Sequence, residues 1–209
     1  MKQLPGINRL VELQSLMLKL RQVKRAMPIH SNLDDTENVI EHSYSMAILA
    51  LYLAPKIDPS LDMGKITAFC LIHDILEVYA GDSPAFNSAW TKEDQAKREL
   101  DARKRLKEEW PDFPQLHGYI GEYEDLKSKE ACFVSALDVT QANLMIEFSK
   151  DMYWKHYGVT PKRFATFVQT RSKKFKSQAV LYDYSMKMFS YFSDHPELLH
   201  QENDAAQQD

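Results

Sequence analysis

The residues Ile72-His73-Asp74-Ile75-Leu76-Glu77 set an adjacent His-Asp pair inside an apolar run, and this constrains the fold more than any other stretch. Two ionisable side chains entering a core need partners or a cation, because an uncompensated buried charge is strongly unfavourable. Other parts of the chain must therefore deliver polar groups to this point. A metal would serve both members of the pair. The chain that has to do this is 209 residues long, 44% hydrophobic and 27% charged, the balance of a soluble globular protein. One domain is expected over residues 1–195, with a core at about 10–150 and C-terminal helices over 160–192, followed by a polar tail over 196–209.

No apolar run approaches the roughly 20 residues that span a bilayer, so no membrane partner is expected. Met1-Lys2-Gln3-Leu4-Pro5-Gly6 has no apolar segment followed by a small-residue cleavage site, and a cytoplasmic location is expected. Cys70 and Cys132 are too few and too far apart for a zinc ribbon and read as buried free thiols. A net charge of −4 argues against duplex nucleic acid as a partner, although a local group of cations can still hold a small anion.

From Ile7 to Met27, Leu10, Leu13, Met17, Leu20 and Val23 recur at helical spacing and stop before Pro28, which predicts a first helix. Ile29 to Asn38 is mostly polar and reads as a loop. A second helix is expected from Val39 to Ala54, closed by Pro55. A third runs from an Asp62 N-cap through Ile66, Phe69, Cys70, His73 and Leu76 and ends at Gly81. The charged run from Thr91 to Trp110, with Leu100 and Leu106 on its apolar side, predicts a lightly packed helix with a solvated face. A short helical piece follows at Leu116 to Leu126. Ser128 then caps a long helix containing Phe133, Val134, Leu137, Leu144, Met145 and Phe148. Thr160-Pro161 starts a last helical region toward Phe192. With no strand pair, no Asn-Gly hairpin signal, no repeat and no Gly-rich phosphate loop, the fold class is all-α.

On the third helix, His73 and Asp74 lie four and three residues before Glu77, so one imidazole and two carboxylates share one side. His42 falls close to the apolar line of Met46, Leu49 and Leu53. Asp138 sits four after Val134 and seven before Met145 on the long helix. Singly, each has a plain structural explanation: a buried His bonded to a carbonyl, or an Asp paired with Lys or Arg. Together, His42, His73, Asp74 and Asp138 make a two-His, two-carboxylate set suited to a divalent transition metal, provided that the three helices converge. His30 reads as a solvated loop residue close to Arg25, and His117, His156, His195 and His200 show no ligand spacing. Lys173-Lys174-Phe175-Lys176 reads as a solvated face. Tyr182, Tyr184, Met186, Met188, Phe189, Tyr191 and Phe192 read as core with surplus apolar surface for a dimer contact.

The order His42, then His73-Asp74, then Asp138 resembles the HD-domain metal-dependent phosphohydrolases, named for the adjacent His-Asp pair. The segments Glu37-Asn38-Val39-Ile40-Glu41-His42-Ser43 and His73-Asp74-Ile75-Leu76-Glu77-Val78-Tyr79-Ala80-Gly81-Asp82 look like the YfbR-like 5′-deoxynucleotidase branch. Glu130-Ala131-Cys132-Phe133-Val134-Ser135-Ala136-Leu137-Asp138 resembles the helix carrying that family's last ligand. The resemblance spans roughly residues 10–150 and implies an HD-domain helical bundle with a metal site between three core helices. It implies hydrolysis of (deoxy)ribonucleoside 5′-monophosphates to nucleoside and phosphate, and a homodimer.

Carried onto this chain, the resemblance implies His42, His73, Asp74 and Asp138 as ligands of a divalent cation (Mn, Co, Mg, Zn, Ni or Fe). It implies Glu77 and Asp82 as the catalytic acidic residues beside it, positioning or deprotonating the attacking water or holding a second cation. Arg25 matches the residue that receives the phosphate. The residue types suit this chemistry on physical grounds, since a divalent cation brings the pKa of a coordinated water toward about 7 and a guanidinium clamps two phosphate oxygens. Where the family often has an aromatic residue near the arginine, this chain has Ala26-Met27. Where an apolar residue and Pro are common after Gly81-Asp82, it has Ser83-Pro84-Ala85-Phe86. Base and sugar preference therefore stay open. The same metal site also suits hydrolysis of a nucleoside triphosphate or guanosine polyphosphate, or a non-catalytic nucleotide-binding protein.

Overall fold

The computed structural model describes residues 4–29, 32–82, 91–149, 151–175 and 178–201, without the side chains of Asn32, Leu33, Lys92 and Asp151. His30, Ser83-Pro84-Ala85-Phe86 and Lys176 lie outside the described residues. In chain order the elements are α1 (Ile7–Leu20), β1 (Lys24–Ile29), β2 (Asn32–Asn38), α2 (Val39–Ile57), α3 (Met63–Ile72), α4 (Glu77–Ala80), α5 (Lys92–Glu109), α6 (Pro114–Glu124), α7 (Lys129–Ser149), α8 (Asp151–His156), α9 (Pro161–Ser172) and α10 (Ala179–Asp194).

β1, α2, α3, α6, α8 and α10 pack against α7. Phe133, Val134, Ala136, Leu137, Val139 and Ile146 are all buried along it, as an interior helix with apolar side chains on several sides requires. Against it, α2 and α3 place Met46, Ala50, Ala54, Ile66, Phe69 and Cys70 to form one core cluster. A second gathers Leu16, Leu20, Ile75, Leu106, Trp110 and Ile120 from α1, α5, α6 and the stretch before α4. The third is aromatic and holds Trp154, Phe164, Phe189 and Phe192, with the Trp154 and Phe164 rings 4.9 Å apart edge to face. Each such buried side chain contributes about 1.5–3 kcal/mol relative to exposure. Several expected caps are in place: Asp62 accepts from Gly64 N and Lys65 N, Thr160 from Arg163 N, and Ser128 from Ala131 N. No helix of the described residues is long and apolar enough to cross a membrane.

The helical bundle carries one addition, a two-stranded antiparallel ribbon of β1 and β2 in place of the expected helix end and loop. α1 stops at Leu20, so Arg25 stands on a strand. Nothing in the residue pattern announces this ribbon, because β2 is Asn-Leu-Asp-Asp-Thr-Glu-Asn and lacks alternating apolar positions. Its register is irregular on both sides of Pro28, a residue that cannot donate to a ladder.

The expected third helix breaks after Ile72. His73 N still bonds Phe69 O at 2.9 Å, but Ile75 N, Glu77 N and Val78 N each reach back only three residues. This tightened, 3₁₀-like stretch contains no Gly or Pro to signal it; Gly81, at φ +73°, ends α4 as expected. α2 continues through Pro55 to Ile57, since a proline in the last turn removes only one hydrogen bond. The last helical region divides into α9, a 3₁₀ turn at Lys173–Phe175, and α10, while α8 is unannounced. Beyond His195, Pro196–Leu198 forms a 3₁₀ turn and Leu199 is buried, so packing extends into the stretch that reads as tail. On α5, Ala102 and Leu106 pack while Leu100 is 68% exposed. Both cysteines are free thiols, but only Cys70 is buried; Cys132 is half-buried.

Candidate active site

A capping box opens α2: Asn38 Oδ1 accepts from Ile40 N (3.0 Å) and Glu41 N (3.1 Å), and Glu41 Oε2 accepts from Asn38 N (2.9 Å). The helix start is thereby fixed, and His42, one turn in, is sent to the interior with no exposed surface. Its Nδ1 donates to Gln141 Oε1 on α7 at 2.9 Å. His73 follows the last residue of α3, and its Nδ1 donates to the Cys70 carbonyl at 3.0 Å. With both Nδ1 atoms engaged, each Nε2 is the ring nitrogen turned toward the cluster. Both Nε2 atoms are buried without a hydrogen-bond partner among the described residues. His42, His73 and Asp138 each offer one ligand atom, and these atoms all lie within 4.8 Å of one another. Two orphaned imidazole nitrogens and a carboxylate at this spacing fit a divalent transition metal.

Asp74 borders the same group. Its Oδ2 is 3.1 Å from His73 Nε2 and 3.8 Å from His42 Nε2, outside hydrogen-bonding geometry, and accepts from Arg25 Nη1 at 2.6 Å. Arg25 reaches in from β1, with Nε donating to Glu37 Oε1 at 3.2 Å and Nη2 3.9 Å from Asp138 Oδ1. Its side chain is only 14% exposed, so its charge faces the site and not bulk solvent. Ala26 N donates to Asp82 Oδ2 at 3.0 Å and ties β1 to the residue after Gly81. Glu77 lines the site with a buried Oε2 that has no hydrogen-bond partner among the described residues. All seven residues singled out in the sequence therefore converge, although the helix expected to carry His73, Asp74 and Glu77 is interrupted.

Three contributors escape the spacing analysis. Gln141 Nε2 donates to Glu37 Oε2 at 3.2 Å, so Gln141 and Glu37 together hold the His42 ring and the plane of Arg25. Gln141 follows Asp138 by three residues on α7, a same-face spacing that marks it. Glu37 lies in a polar stretch with no periodic signal. Lys174, read as solvated, places Nζ 3.7 Å from Asp138 Oδ2, because the turn between α9 and α10 folds it back over the site. The other described histidines include His117, bonded to the Trp110 carbonyl, and His195, paired with Glu197.

The charges set contrasting acidities. Burial, Asp74 and Asp82 push the Glu77 carboxyl up to about 9, against Arg25 and His42. Burial opposes ionisation of Asp74, yet His73 and Arg25 hold it down at about 2. Asp138 stays well below the usual carboxylate range for the same reason, through His42 and Lys174. Burial alone lowers His42, but the Asp138 and Glu37 carboxylates reverse this and raise it to about 9. The Cys70 thiol is pushed up to about 12 by burial and is a packing group. Beside the cluster opens a cavity of about 200 Å³ whose polar lining includes Arg25, Asp74, Glu77, Asp82 and Asp138, and whose apolar lining includes Met27, Ile146 and Phe167.

Comparison with known proteins gives the chain's family and relatives. The family described as "HD domain" matches residues 17–180. The human protein named 5′-deoxynucleotidase HDDC2 is 28% identical over 179 residues, covering 84% of this chain and 83% of that one. Its Bos taurus counterpart is 30% identical over 179 residues, covering 84% and 82%. The crystal structure of a predicted metal-dependent phosphohydrolase from Magnetospirillum magnetotacticum superposes with a TM-score of 0.75 at 27% identity, covering 92% of this chain and 96% of that one. With its paired imidazoles, flanking carboxylates and helical frame, the chain belongs to the HD-domain family.

Proposed function

We propose that this chain is a metal-dependent phosphomonoesterase that hydrolyses nucleoside 5′-monophosphates, deoxy forms preferred, to nucleoside and inorganic phosphate. The observation that carries this is the pair of unpartnered Nε2 atoms of His42 and His73 beside Asp138, with Arg25 next to them at a cavity. The names of the relatives, 5′-deoxynucleotidase and metal-dependent phosphohydrolase, support the same class of substrate.

His42, His73, Asp74 and Asp138 would hold the cation. When bound, it supplies Lewis acidity toward a phosphoryl oxygen and makes water acidic enough to attack near neutral pH. Arg25, its plane set by Glu37, receives two phosphate oxygens through its Nη edge. Asp74 shares that edge, so substrate entry and the Asp74–Arg25 pair exchange partners. With a bound cation beside it offsetting the charges of Asp74 and Asp82, Glu77 would ionise and take the proton of the attacking water; Asp82 orients this acidic wall through Ala26 N and keeps the arginine strand in place. Water forms the new P–O bond as the bond to the 5′-oxygen breaks, and that oxygen leaves with the proton that Glu77 took.

A phosphate-release screen with deoxy- and ribonucleoside monophosphates and Mn, Co, Mg, Zn, Ni or Fe tests the reading. Phosphate is the expected product. Release of pyrophosphate or triphosphate from longer nucleotides in its place, or no release while a control phosphatase is active, overturns it. A cytoplasmic homodimer belongs to the same proposal. Support for the dimer comes from the exposed Tyr44, Ile48, Leu51 and Tyr52 along α2 and Tyr184 and Tyr191 on α10, and a single-chain species in sedimentation removes it.

A further inference from the structure

Asn143 is a polar residue of the cavity wall that neither the cluster nor its supports employ. It is 3% exposed and lines the cavity, and its Nδ2 is buried with no hydrogen-bond partner among the described residues. Such an amide bears a full desolvation penalty with nothing to offset it, and native structures keep few of them. A ligand group that meets the amide removes that penalty.

The register along α7 indicates which group. Asp138, Val139, Ala142, Asn143 and Ile146 all face the cavity. At a rise of ~1.5 Å per residue, Asn143 lies about 7.5 Å and Ile146 about 12 Å along the axis from Asp138. The wall therefore runs from a carboxylate of the metal cluster, through an amide, to the apolar Ile146 near Tyr153 and Phe167, where the Arg171 guanidinium lies over the Phe167 ring. A 5′-nucleotide presents its phosphate, sugar and base in the same order.

We propose that Asn143 is a specificity-determining residue that hydrogen-bonds the 3′-hydroxyl of the sugar. This rests on the phosphomonoesterase reading and deepens it. A hydroxyl donates and accepts, so either side of the amide serves it. The bases differ from one another in donor and acceptor pattern, so one fixed amide suits a substrate class defined by its sugar better than one defined by a base. A 3′-hydroxyl is common to ribo- and deoxyribonucleotides, whereas Ala26 and Met27 beside Arg25 offer no side-chain hydrogen bond to a 2′-hydroxyl.

The test compares kcat/KM for a 2′-deoxynucleoside 5′-monophosphate and its 2′,3′-dideoxy counterpart, using wild type and Asn143→Leu. Thermal melts establish that each protein is folded, and Asn143→Ala replaces the leucine variant if that one is not. Wild type should favour the 3′-hydroxyl substrate by roughly tenfold or more, since a site built to bond a hydroxyl rejects the analogue that lacks it. The variant should lose this preference by slowing the hydroxylated substrate alone. Equal turnover of both substrates by wild type, or an equal slowing of both by the variant, overturns the assignment. If wild type releases phosphate from neither, the phosphomonoesterase reading itself falls, and this assignment with it.

Discussion

At the scale of single residues, the site is a problem of competing charges. Asp74 stands between Arg25 and the two imidazoles, so Asp74→Ala removes a ligand and frees the guanidinium at once. Loss of both bound metal and turnover is expected, and elemental analysis showing metal content equal to wild type would sink the ligand role. Glu77 has the opposite character, a carboxyl raised to about 9 from an ordinary 4.5. Its linkage to folding is fully present below about pH 4.5 and is lost as pH rises toward about 9, because the unfolded chain ionises while the fold retains the proton. In chelator, Glu77→Gln should therefore melt above wild type, with the gap widening from about pH 5 to about pH 8. Metal-loaded, the same variant should keep its first cation and lose roughly 10²–10⁴ in kcat, as removal of a general base does. Most of these residues are legible in the sequence because His and Asp stand out inside apolar runs. Glu37 is not, since its role depends on Arg25 and Gln141 arriving from elsewhere.

At the scale of elements, the helix starts do much of the positioning. Asn38 caps the helix that carries His42, while its neighbour Glu37 holds Arg25 and Gln141. Asn38→Ala should cost about 1 kcal/mol in chemical denaturation and weaken metal binding, because the His42 ring is aimed by the first turn. A variant that melts as wild type does would show that packing alone sets this turn. Helices with a cap at one end and an apolar stripe between, such as α3 at Asp62 and α7 at Ser128, can be read from sequence. The ribbon and the break after Ile72 cannot. Polar β2 gains its partner only by pairing with β1, and the tightened turn at His73–Leu76 is held by the groups that meet there. Local propensity carries neither fact.

At the scale of the whole molecule, many surface carboxylates are held below their ordinary values: Asp112 by Arg9, Glu122 by Lys65, Asp58 by Ser60 and Asp94 by Thr91. Each contributes stability that is present above its unfolded value and is lost as pH falls through its folded one. The melting temperature should accordingly drop as pH falls below about 4.5, more gently when salt screens these exposed pairs. A midpoint that stays level down to pH 3 would contradict this. The fold class follows from periodicity alone, whereas the three separate core clusters, two of them sharing α7, emerge only from the packing.

That central helix has a consequence for how such a protein can change. Along α7, Phe133 and Leu137 serve the interior, Asp138 and Gln141 the metal cluster, and Asn143 and Ile146 the cavity. Almost any replacement there disturbs the interior as well as the chemistry, so α7 is a poor place for variation to accumulate. Arg171 of α9 lines the same cavity, is only partly buried and belongs to no core cluster, so it is less encumbered. New substrate ranges in descendants of this chain, natural or designed, should be written there.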